Sequence, residues 1–173
     1  MKPSSRAVFG IVLASFFLSG VAGLVYQVVW TRYLSLFLGH TSYAVMAVLV
    51  AFMGGLAIGN AWLGPKVDTL RRPLLLYAGL EVAIGVYALL FPSYFAVLES
   101  VFPRWVTTLK PGPGMLLFLK GAFAAVAILP PTILMGATLP ALTRYVTRAL
   151  SELRGRVAAL YAINSTGAVV GVL

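Results

Sequence analysis

Residues 7–30 form a 24-residue run without one charged side chain. As a helix, such a run is about 36 Å long, enough to cross a hydrocarbon core of about 30 Å. Further apolar stretches cover 41–63, 73–91, 114–147 and 157–173. In lipid every backbone N–H and C=O must be satisfied within the protein, so each stretch reads as helix. The expected fold is all-α: a polytopic transmembrane helical bundle of about five spanning helices, a transporter-like half-bundle in one domain.

Composition supports this reading. Of 173 residues, 61% are hydrophobic and 10% charged, whereas a soluble domain is about a quarter charged. Mean hydropathy is +0.98. The lipid bilayer is therefore the first expected partner. The net charge of +9 does not point to nucleic acid, because the basic residues sit between apolar runs and form no basic face with stacking aromatics. With no cysteine, disulfides, thiolate metal sites and thiol catalysis are excluded. His40 alone cannot build a metal site. MKPSSR followed by an apolar run resembles a signal peptide, but signal cores span about 7–15 residues. The first run is longer and reads as an uncleaved span.

Residues 114–147 would make a helix of about 50 Å, interrupted by Pro130-Pro131 and followed by Pro140. Charge decides between one crossing and two. If the stretch crosses once, kinked near Pro130, then Lys2 and Arg6, the cluster Lys66, Arg71, Arg72 and the cluster Arg144, Arg148, Arg154, Arg156 share one side. That is the cytoplasmic side under the positive-inside bias. The N-terminus is thus expected in the cytoplasm, at the plasma (inner) membrane. Residues 92–113 become an external amphipathic loop whose residues 93–109 are spaced for a short amphipathic helix, with Tyr94 and Trp105 at the interface and a PGPG turn at 111–114. The last stretch reaches Leu173 without a closing charge, aromatic belt or cap. The native chain is therefore expected to continue, or to pair with other membrane subunits.

Few residues carry chemistry. Glu81 is flanked by apolar residues, and so deep an acid is costly unless it faces the bundle interior and pairs or stays neutral. It is a candidate cation or proton site, or a structural pair; Lys120 is the partner to name and a further candidate substrate contact, although a lysine so near a helix end more readily snorkels outward. Trp30, Arg32 and Tyr33 read as anchors at the outer interface, and Gln27, one turn deeper, needs a partner on another helix; Gln27 and Trp30 are also candidate substrate contacts, Trp30 through its ring face. Gly55 with Gly59 and Gly167 with Gly171 are four apart, a close-packing signal, and Asn60 and Asn164 are candidates for interhelical hydrogen bonds. The loop GPKVDTLRRP, with Asp68, Arg71 and Arg72, is loosely similar to the conserved loop of major facilitator transporters, although its second glycine is absent. There are no paired carboxylates, no Ser–His arrangement and no phosphate-binding glycine loop, so no catalytic residue, metal or cofactor is assigned.

Four stretches in order, FFLSGVAGLVYQVVWTRYLSLFLG, YAVMAVLVAFMGGLAIGNAWLGP, PPTILMGATLPALTRYV and GRVAALYAINSTGAVVGVL, resemble the membrane domain of bacterial fused transporter-like and spermidine-synthase-like proteins. The resemblance covers nearly the whole chain. It places Gln27, Trp30, Arg32, Gly55, Gly59, Glu81, Pro131, Gly136, Pro140, Asn164 and Gly167 in the helical domain. In that family a soluble aminopropyltransferase domain follows, and its catalytic residues have no counterparts here. The resemblance implies polyamine handling or anchoring of the enzyme domain, with a polyamine as expected ligand. It leaves open export, substrate delivery and plain anchoring. The alternative expectation is a structural or accessory subunit of a larger membrane complex.

Overall fold

The computed structural model describes residues 3–39, 42–67, 69–149 and 153–173. His40 and Asp68 lie outside the described residues, as do the side chains of Arg6, Arg148 and Arg154. Five helices account for almost all of the rest: α1 Pro3–Leu38, α2 Ser42–Val67, α3 Pro73–Leu109, α4 Pro113–Ala149 and α5 Leu153–Val172. Four contain segments long and apolar enough to cross a membrane: Ala7–Leu38, Ser42–Val67, Pro73–Leu109 and Pro113–Thr147. They fit an integral membrane protein. The fifth, α5, has 20 residues but is the least apolar, diluted by Asn164-Ser165-Thr166, and is not among the four.

The connections are short, and their chemistry is local. Gly39, at φ 95°, ends α1, its N–H donating to the Ser35 carbonyl at 2.9 Å. Pro73 opens α3 at its first turn, where the missing N–H costs nothing. Lys110 adopts the left-handed conformation at φ 43° and closes α3, donating its N–H to Val106 O at 2.9 Å. Pro113 then starts α4.

Contacts fix the directions. α1 and α3 are parallel, because Phe16 meets Tyr77, Trp30 meets Phe91 and Phe37 meets Phe102. α2 and α4 are parallel, with Tyr43 beside Gly121, Gly55 beside Thr132 and Gly64 beside Pro140. α3 and α4 are antiparallel, since Tyr87 meets Ala127 and Phe102 meets Phe123. α5 runs with α1: the Arg156 guanidinium lies 4.9 Å over the Phe9 ring, and Gly167 and Gly171 abut Phe17 and Val21. The start of α1, the end of α2, the start of α3, the end of α4 and the start of α5 therefore share one end. Lys66, Arg71, Arg72, Arg144 and Arg156 all belong to that end. α4 passes through Pro130, Pro131 and Pro140 as one helix.

The third helix differs from its expected limits. It does not stop at Phe91 but continues through Pro92 and Pro103 to Leu109, so residues 92–109 prolong α3 and do not form a separate short helix within a loop. A proline removes one helical hydrogen bond and crowds the preceding turn. Here tertiary packing outweighs that cost. Phe91, Phe95 and Phe102 are buried along one face, where they meet Tyr33 and Phe37 of α1 and Phe123 of α4.

Two apolar clusters fill the interior. One joins Trp30, Leu34, Val48, Phe52, Phe91, Phe95 and Ile128. The other, toward the basic end, joins Val12, Phe16, Val67, Tyr77, Leu142, Val146 and Leu160. Along α1, the two are separated by the segment that contains Ser19.

Candidate functional site: a carboxyl inside the bundle

Ser19 lies near the midpoint of α1, and Glu81 lies two turns into α3. The parallel packing of these helices brings the two side chains together: Ser19 Oγ donates to Glu81 Oε1 at 2.7 Å. Glu81 is half-buried. Tyr77, one turn earlier on the same face of α3, is 5% exposed and rests edge-on against Phe16 at 6.2 Å. Its hydroxyl faces the Ser19–Glu81 pair without a hydrogen bond of good geometry. On the adjoining side of α1, Gly20 is so close to α5 that a Cβ there would lie 3.0 Å from Asn164 Oδ1. One carboxyl, one serine hydroxyl and one tyrosine hydroxyl thus meet between the two apolar clusters. The group can take a proton or bind a protonated amine, with the hydroxyls supplying dipoles.

The other expected site residues do not gather around Glu81. Lys120 is not its partner. Its ammonium lies 5.8 Å over the Phe37 ring, and Phe37 is 18 residues beyond Ser19 on α1, about 27 Å along the axis. Trp30 is not an interfacial anchor. It is 2% exposed, with Tyr26 stacked at 5.5 Å and Phe91 stacked at 5.1 Å. Those neighbours occupy the ring faces that a cation would need. Gln27 is half-buried, about 12 Å from Ser19 along α1, and its backbone carbonyl accepts from Thr31 Oγ1 at 2.6 Å. Arg32 is exposed, whereas Tyr33 is half-buried against Phe91 and Phe95.

The glycines lie at close helix contacts. A Cβ on Gly55 would strike the Thr132 side chain, and one on Gly59 would strike the Ile133 carbonyl. Gly136 meets the Leu56 backbone from the α4 side, and Gly167 and Gly171 meet the α1 backbone. Asn60 lines a cleft of about 680 Å³ between α2 and α4, together with Gly64, Pro65, Pro140, Thr143 and Arg144. Among the described residues, no three His, Cys, Asp or Glu side chains come together.

Sequence reasoning missed Ser19, Tyr77 and Tyr87. Tyr87 explains how α4 tolerates its proline pair. Pro131 has no N–H, so the Ala127 carbonyl four residues earlier loses its helical donor. The Tyr87 hydroxyl of α3 donates to that carbonyl at 2.7 Å. The proline was a visible signal for an orphan acceptor, but nothing in the sequence named the donor. No family model, curated protein or solved structure matches the chain.

Proposed function

We propose that this chain is the membrane domain of a spermidine-synthase-like protein and that Glu81 is its cation site, taking one protonated amine of a polyamine. The observation that carries the proposal is the Ser19–Glu81 hydrogen bond, which holds a half-buried carboxyl between α1 and α3 near the middle of the bundle. An ionisable group at that depth is costly and marks an ion, proton or substrate path by default. The order of motifs supplies the ligand class. The domain handles polyamines at the plasma (inner) membrane or anchors an enzyme that uses them. Its basic end faces the cytoplasm, because Lys and Arg near span ends are retained on that side.

The test is spermidine binding to the purified protein by equilibrium dialysis. In Glu81→Gln the side-chain amide oxygen can still accept from Ser19, but the charge is gone. This variant is therefore expected to retain the folded bundle and weaken binding about tenfold or more, the scale of one desolvated charge pair. Unchanged affinity in a folded Glu81→Gln protein would sink the proposal.

The α2–α4 cleft favours a second reading, an accessory subunit of a larger membrane complex. Its Asn60, Thr143 and Arg144 place polar groups in a recess otherwise walled by Pro65, Leu139 and Pro140, suited to a partner helix that carries a polar residue. Co-purification of stoichiometric membrane partners that leave when Asn60→Leu is introduced would support that reading over the first.

A further inference from the structure

We propose that the basic end of α3 holds one anionic phospholipid, with its phosphate at Arg71 and Arg72 and an acyl chain along the helix. A groove of about 550 Å³ begins at these two arginines and runs past Leu75, Leu76 and Gly79 to Leu80. That is two turns of α3, about 12 Å. Its walls are leucine. Its far end is open beside Gly79, where a Cβ would meet no atom within 4 Å. Leu75 is 65% exposed, whereas Leu80 is 7% exposed, so among the described residues the groove is open along Leu75 toward the lipid and floored at Leu80. Both arginines are exposed and precede the first residue of α3, at the bundle end where Lys66, Arg144 and Arg156 also lie.

The two ends of the groove ask for different chemistry in one molecule. The leucine walls suit a hydrocarbon chain, while two adjacent guanidiniums suit phosphate oxygens, which arginine binds with parallel N–H donors. A zwitterionic headgroup offers one phosphate and its own cation, which opposes two arginines. A headgroup of net negative charge matches them. A free phosphate ion would leave the leucine walls unused. The occupant is therefore a phospholipid such as phosphatidylglycerol. This inference does not depend on Glu81 or on polyamines.

Native mass spectrometry tests it. The protein is mixed with equal amounts of phosphatidylglycerol and phosphatidylcholine of identical acyl chains, and retained lipid is counted. The wild type is expected to retain phosphatidylglycerol about tenfold or more over phosphatidylcholine, the scale of two basic side chains at an anionic surface. Arg71→Gln with Arg72→Gln removes the charge. Gly79→Leu fills the groove and leaves the charge. Both lie at exposed positions with free space, so the bundle should fold in each. Both are expected to lose the preference, while Lys66→Gln, whose ammonium lies 4.0 Å over Trp62 away from the groove, keeps it. No preference in the wild type overturns the proposal. So does a preference that survives either groove variant, because the groove is then not the site. Loss in Lys66→Gln would show bulk charge attraction and would overturn it equally.

Discussion

Tyr87 and Glu81 show how single polar groups are placed inside this bundle. Each is held by a group on a neighbouring helix: Tyr87 by the Ala127 carbonyl, Glu81 by the Ser19 hydroxyl. Removing one partner from such a pair strands the other. Tyr87→Phe leaves the Ala127 carbonyl without a donor and is expected to lower stability by about 1–3 kcal/mol, measured by thermal unfolding in detergent. Pro131→Ala restores a backbone N–H for the same carbonyl. In the Pro131→Ala background the Tyr87→Phe loss should largely disappear, a non-additivity of about 1–3 kcal/mol that marks two residues serving one carbonyl. Equal losses in both backgrounds would show that Tyr87 does not serve the proline break.

At the scale of the element, the decisive contacts are backbone to backbone. α2 and α4 approach so closely that Gly59 faces the Ile133 carbonyl and the Gly136 Cα. Backbone cannot turn aside as a flexible side chain can, so a larger residue must push the helices apart. Gly59→Leu is expected to cost about 3 kcal/mol, at the upper end of overpacking losses. Gly54, on the same helix with nothing within 4 Å of an added Cβ, is the control. Gly54→Ala should be neutral or stabilising by up to about 1 kcal/mol through helix propensity. Equal midpoints for the two variants would remove the close approach as the cause. The long α3 teaches a related lesson. Pro92 reads locally as a stop, yet the phenylalanine face beyond it has partners on α1 and α4, and those contacts sustain the helix.

For the whole molecule, the alternating directions of α1 to α4 put the two ends of the bundle on opposite sides of the bilayer. The chain has no cysteine, so any one introduced is the sole thiol. Lys66→Cys and Arg71→Cys are expected to react with an impermeant maleimide from one side only, the cytoplasmic side under the proposed orientation. Lys110→Cys, in the connection between α3 and α4, should react from the opposite side only. Labelling of positions 66 and 110 from the same side would break the topology.

The membrane class, the helical fold and the continuity of residues 114–147 as one helix were legible in the sequence, because the bilayer imposes such features locally. Span length, backbone satisfaction and the position of basic residues each depend on short stretches of chain. The basic clusters anticipated which helix ends lie together. The partners inside the bundle were not legible. These helices are apolar nearly all the way round, so periodicity marks no inward face. Whether Glu81 meets Ser19 or Lys120, and whether Trp30 sits in the core or at the rim, depends on the rotation and axial register of one helix against another. Glycine contacts, aromatic stacking and the orphan carbonyl at Pro131 set that register; the glycines and the proline are visible in the sequence, but which residues they meet is a property of the packed bundle.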